Sequence, residues 1–162
     1  MGVIIVESIV GCFIVLIACV VGISNGPVGL VSFYEKEVQN RVVELGLTTE
    51  KKIKRNSLLF SVFGIIPFFI FAILSVYGIN GAKGFWEGFS QICFLLMVEG
   101  LFDRLFIDWY WVGKTKTWVI HGTEDLMPYI YGKTLVVKWA GTLIGYPLIA
   151  AAISGIMTLF IK

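Results

Sequence analysis

Long uncharged stretches alternate along the chain with short, strongly charged ones. Ser8 to Tyr34, Asn56 to Ala82 and Trp139 to Ile161 contain no Asp, Glu, Lys or Arg. A helix crossing about 30 Å of hydrocarbon needs roughly 20 residues, and each run holds that many. The pattern predicts membrane-spanning helices over about 3–24, 56–78 and 135–161, with another, third in order, over about 85–109. That third segment is interrupted. Only eleven uncharged residues separate Glu87 from Glu99, a length that on hydropathy alone also suits a re-entrant or interfacial segment. Parity argues for a full crossing, giving an all-α integral membrane protein of four transmembrane helices in a single domain, 1–162.

Lys36, Arg41, Lys51, Lys52, Lys54 and Arg55 then share a side with Lys114, Lys116 and Lys133, while Lys83 and Lys162 stand opposite. This bias predicts cytoplasmic basic connections and both chain ends outside. No basic segment precedes the first apolar run, so that span is expected to remain in the mature protein.

The first connection has a helical period of its own. Within about 33–46, Tyr34, Val38, Val42 and Leu45 recur at one face while Lys36, Glu37, Gln39, Asn40 and Glu44 point elsewhere. A cytoplasmic amphipathic helix is expected there, lying along the membrane or under the spans. Glu37 and Arg41 are spaced for an i,i+4 pair, Gly46 for a left-handed stop, and Thr48 or Thr49 for the cap of the next helix.

Composition agrees with this division. The chain is 57% hydrophobic and 15% charged, with a mean hydropathy of +0.88. Almost no surface would remain for water, so lipid is the expected partner. The net charge of +2 resides where head groups and topology require it and implies no nucleic acid. Cys12, Cys19 and Cys93 fall inside predicted spans as small apolar packing residues. Trp109, Trp111, Trp118 and Trp139 flank span ends, as interfacial anchors do; walls of a ligand pocket are the other reading.

Asn25-Gly26-Pro27 and Gly29 break the chain after the first span, and Gly64 and Pro67 predict a kink in the second. Gly141 and Gly145, followed by Pro147, Ala151 and Gly155, form a face suited to close helix contact. That contact is either internal, the favoured reading, or with a second copy in a homo-oligomer.

The candidate chemistry is concentrated in Glu99, Asp103, Arg104 and Asp108. Ionisable groups at membrane depth usually face a protein interior or an aqueous cavity. At 100° per residue, Glu99, Asp103, Phe106 and Tyr110 share one face, while Arg104, Asp108 and Trp111 form a second. Arg104 and Asp108 are expected to neutralise each other. Glu99 and Asp103 repel unless a cation, a base or a shared proton intervenes. Glu99 lies about 13 Å below Asp108 by helix rise, and Glu7 about 6 Å below the opposite surface. Glu7 either snorkels outward, the favoured expectation, or forms the outer station of a polar pathway.

His121, Glu124 and Asp125 in the third connection are weak candidate ligands for a divalent cation such as Mg, Mn or Zn, completed by Glu99, Asp103 or Asp108. Pairing of these acids with Lys114, Lys116, Lys133 or Lys138 competes with that reading. A single histidine excludes intrachain bis-histidine haem, and no nucleotide, flavin or nucleophile-elbow motif occurs.

Two functional classes follow, with a third behind them. One is a proton- or cation-coupled transporter of a small molecule, with Glu99, Asp103, Arg104, Asp108 and Tyr110 at the substrate or ion site. The other is an interfacial enzyme acting on a lipid or amphiphile at the cytoplasmic leaflet, with Glu99, Asp103 and His121 as acid, base or proton carrier. An accessory or structural subunit, held together by its charges, is the third.

Overall fold

The computed structural model describes residues 2–161 and is all-helical, with no strand among the described residues. Its long helices are α1 (Gly2–Gly22), α3 (Glu50–Ile79), α4 (Gly84–Phe102, continued by a π-helical stretch Asp103–Val112) and α5 (Gly132–Thr158); the short α2 is Lys36–Glu44. Three of them, α1, α3 and α5, are long and apolar enough to cross a membrane. Lys162 lies outside the described residues.

Local chemistry sets these boundaries. After α1 the chain folds back through Pro27–Phe33 in 3₁₀ form. Gly29 packs directly on the Gly22 carbonyl, where any side chain would collide. Helix α2 is shorter than the expected 33–46: Gly46 ends its last turn at φ +71°, and Thr49 caps α3 by accepting from the Lys52 N–H at 3.3 Å. Pro67 and Pro147 each follow a five-residue π-turn, Ser61–Ile65 and Gly141–Gly145. A widened turn accommodates the proline ring and its missing N–H while the helix continues.

Side-chain pairings fix the directions of the helices. Glu7 of α1 and Gln91 of α4 share Asn80, while Cys19 packs in one cluster with Ile107 and Val112, so α1 and α4 run alike. Tyr146 meets Glu99 and Lys138 meets Asp108, so α5 runs against α4. Helix α3 also opposes α1, with Phe60 in the cluster of Cys19 and Phe68 in the cluster beyond it. One end of the molecule therefore holds the start of α1, the end of α5 and the 80–83 turn. The other holds the two long connections.

Those connections form one folded layer. Tyr34, Val38 and Val42 are buried with Trp118, Ile120 and Tyr129, whereas Leu45 is exposed. Tyr129 Oη accepts from the Ile120 N–H at 2.8 Å and bonds Thr123 Oγ1 at 2.8 Å. The expected Glu37–Arg41 pair does not form; both side chains turn to partners across the layer, Tyr131 donating to Glu37 at 2.9 Å and Arg41 lying 3.7 Å from Asp125. Trp118 is not an interfacial anchor. At 2% exposure it packs edge-on against Trp111, while Trp109 does face outward.

Candidate functional site: a charged cavity between the helices

Glu99 is placed by the apolar face of α4. Leu95 and Leu96 bury that face on α1, α3 and α5, and the next turn carries Glu99 inward with it, at 2% exposure. Its Oε2 accepts a hydrogen bond from Tyr146 Oη at 3.2 Å. No Lys, Arg or His pairs with Glu99 among the described residues.

One turn on, α4 becomes π-helical, and the expected faces change. Bonding from i to i+5 widens the turn, so the 100° spacing no longer applies from Asp103 onward. Asp103 and Asp108, five apart, both reach the guanidinium of Arg104: Asp103 through its Oδ2, and Asp108 with Oδ2 2.8 Å from Nη1, at an angle outside hydrogen-bond geometry. Of the interventions expected for Glu99 and Asp103, a base is present for Asp103. Lys138 of α5 closes the group, donating to Asp108 Oδ1 at 2.7 Å while lying 5.8 Å from the Phe33 ring centre. Two acids and two bases balance, and Arg104 and Asp108 are 7% and 6% exposed.

These groups line one side of a partly open cavity of about 350 Å³. Glu99, Asp103, Arg104, Asp108, Lys138 and Tyr146 form the polar stripe; the facing walls are apolar, from α1, the 27–33 segment and α3. The volume is at the lower end of small-molecule sites. Trp118 forms part of the wall, and Tyr34, whose hydroxyl has no partner, forms another. Burial, with the neighbouring Tyr129 adding to it, pushes the Tyr34 phenol well above its ordinary value.

The remaining candidates lie elsewhere. Tyr110 is 51% exposed and tilts over Phe106, outside the cavity, because the π-stretch rotates it away from Glu99. His121 is fully exposed and contacts Glu124 at 3.1 Å; Glu124 also accepts from the Gly122 N–H at 2.8 Å. Hydrogen bonds from its own backbone N–H and from Gly122 hold the Glu124 carboxyl below its ordinary value. Asp125 turns to Arg41. Among the described residues, no three His, Cys, Asp or Glu side chains converge as a metal centre, so the divalent-cation arrangement drawn from His121, Glu124 and Asp125 does not assemble.

Gly141, Gly145 and Gly155 do not mediate internal packing: an added Cβ at each would meet nothing within 4 Å. The close internal approach is made by Gly100, against Thr142 and Tyr146. Sequence reasoning missed two partners, Tyr146 for Glu99 and Asn80 for Glu7. Glu7 does not snorkel; it is buried at 7% exposure and accepts from Asn80 Nδ2 at 2.8 Å. Lys138 carried the available signal, as a lone lysine placed in the first turns of an otherwise apolar span.

Comparison with protein-family models, with curated proteins and with solved structures finds no match.

Proposed function

We propose that the protein is a proton- or cation-coupled transporter of a small molecule, in which Glu99 exchanges the coupling ion and the cavity holds the substrate. The observation carrying this reading is the contrast inside the cavity. Asp103, Arg104, Asp108 and Lys138 neutralise one another, whereas Glu99 is buried with only a hydroxyl beside it. A buried carboxylate lacking a counter-charge is costly, and the neutral acid removes that cost until a cation or a polar substrate arrives. Among the cavity acids, coupling then falls to Glu99.

The proposal includes four membrane crossings, with the connection end cytoplasmic and both chain ends outside. In support, α4 turns Glu99, Arg104 and Asp108 inward and Phe94, Leu101, Leu105 and Trp109 outward. A span judged by hydropathy alone is penalised for charges that never meet lipid. The basic connections supply the orientation.

The test is proton release by the purified protein in weakly buffered detergent, on addition of a panel of apolar amines and carboxylic acids. Wild type is expected to release or take up protons with at least one compound, and folded Glu99→Gln with none. Folded wild type that is silent across the panel, or Glu99→Gln that responds as wild type does, overturns the reading.

The interfacial-enzyme alternative draws on the same amphipathic cavity. Its acid or base would be Glu99, since His121 points into solvent away from the cavity. Turnover of a bilayer amphiphile that survives His121→Ala and is lost in Glu99→Gln would favour it.

A further inference from the structure

The polar group at the opposite end of the molecule has no part in the cavity, yet it is built with comparable care. Glu7 sits on the second turn of α1, more than nine-tenths buried. Its Oε2 accepts from Asn80 Nδ2 at 2.8 Å, and the same amide nitrogen donates to Gln91 Oε1 at 3.0 Å. Glu7 Oε1 is buried without a partner. Asn80 is itself fixed, its backbone N–H bonding the Ser75 carbonyl at 2.9 Å. Ser75 Oγ and Tyr77 Oη are further buried polar atoms with no partner, and Tyr77 Oη lies against Gly88, one turn before Gln91.

Among the described residues no base forms an ion pair with Glu7. The titratable or charged groups near it are Cys12 on α1, Tyr77 on α3, Lys83 in the turn, and Glu87 and Cys93 on α4; the described end of α5 contributes none. Lys83 and Glu87 are exposed, and it is the backbone N–H of Lys83, not its ammonium, that bonds Glu87 Oε2 at 3.0 Å. None of these groups bonds Glu7 Oε1, which is left open to a partner from the terminal side. A proton meets that need without displacing Asn80.

Between the two acids lies a dry layer. Phe68, Ala72, Ile92, Leu95, Leu96 and Ala150 are all 0–2% exposed and pack as one cluster. Helix α1 crosses the layer at Gly11, where an added Cβ would come within 3.0 Å of the Phe68 ring. Gln91 and Glu99 are eight residues apart on α4, so about 12 Å of helix separates the two polar levels.

We infer that Glu7 is a second proton-exchange site, serving the end of the molecule opposite the Glu99 cavity and shut off from it by this apolar layer. A proton arriving from the terminal end bonds to Glu7 Oε1, while Oε2 keeps its hydrogen bond from Asn80. The closed layer keeps that proton from Glu99. When the helices part at Phe68 and Gly11, water enters, Glu7 gives the proton to that water, and Glu99 takes one from it. The inference rests on the transport reading above and adds to it the second station that coupling across a membrane requires.

The experiment uses the full-length wild-type protein inserted in one orientation in phosphatidylcholine liposomes. The pH is set separately on each side, and carboxyl labelling by dicyclohexylcarbodiimide, which attacks protonated acids, is read at Glu7 and Glu99 by mass spectrometry. Labelling of Glu7 is expected to rise at least tenfold with acid on the terminal side only, and labelling of Glu99 with acid on the connection side only. If Glu7 follows the connection side, or neither side, the inference is overturned. If Glu7 follows the terminal side while Glu99 responds to neither, the second site stands and the transport reading falls. In Phe68→Ala both acids are expected to follow both sides; retained sidedness in that variant would overturn the apolar layer as the barrier.

Discussion

The same four long helices build both halves of the molecule, and the halves differ in what fills the space between them. Toward the connections they enclose a cavity of about 350 Å³ bordered by three acidic and two basic side chains. Toward the termini they close on Phe68, Ala72, Leu95, Leu96 and Ala150, all 0–2% exposed. Without a strong hydrophobic drive between helices in lipid, close packing is what holds such a structure together. The dry half supplies that packing. The cavity half replaces it with a balanced charge network, which ties α4 to α5 through Asp108 and Lys138 while leaving the interior open. Stability and accessibility are thus assigned to different levels of one set of helices.

The sharpest break in this comparison comes from the charge network. Arg104→Met strands Asp103 and leaves Asp108 with Lys138 alone, and should cost about 3–5 kcal/mol, read as a lowered unfolding temperature in detergent. Adding Asp103→Asn to that variant restores the balance of one acid and one base, and should recover most of the loss. No recovery would mean that the guanidinium acts by packing rather than by charge.

Leu-to-Ala scale changes sharpen the contrast between the halves. Leu96→Ala, in the dry layer, should cost roughly 2–5 kcal/mol. Ile107→Ala, equally buried but at the cavity wall, should cost about half as much, because its side chain already lacks partner atoms on one side. Equal losses would contradict an open interior.

Tyr146→Phe removes the one hydrogen bond to Glu99 and should cost about 0.5–1.5 kcal/mol. It should also change the pH at which proton exchange occurs, with the fold intact by circular dichroism.

The smallest effect lies in the connection layer. Glu35 accepts from the Thr134 N–H at 2.9 Å, capping α5 from across the layer, and the Thr134 hydroxyl together with that N–H holds its carboxyl below the ordinary 4.5. A lowered folded value means the contribution is complete above the unfolded value and is lost as pH falls through the folded one. Wild type should therefore exceed Glu35→Gln in stability above about pH 4.5, and the difference should vanish on acidification below that. A difference unchanged by acid would argue against a carboxylate cap.

Periodicity and charge made much of this legible beforehand. The uncharged runs marked α1, α3 and α5, and the spacing of Tyr34, Val38 and Val42 marked α2 with the face it buries. The inward position of Glu99 followed from its place in an otherwise apolar stretch of α4. What the sequence could not convey was the π-helical stretch at Asp103–Val112, which depends on tertiary packing and reassigns Asp103 from Glu99 to Arg104. Nor could local spacing reveal Tyr146 or Asn80, which reach their acids from 47 and 73 residues away. The third connection misled for a related reason. Its polar residues suggested a ligand-bearing loop, but Trp118, Thr123 and Tyr129 turn inward and leave His121 outside.

The central claim is that Glu99 alone among the cavity acids has no counter-charge. It is tested most directly by thermal unfolding of two isosteric neutralisations compared side by side in lipid. Asp108→Asn should lose about 3–5 kcal/mol, since it leaves Arg104 and Lys138 buried with too little negative charge. Glu99→Gln keeps an oxygen for Tyr146 and should stay within about 1 kcal/mol of wild type. If Glu99→Gln instead destabilises as much as Asp108→Asn, Glu99 has a cationic partner, and the account of the cavity is contradicted.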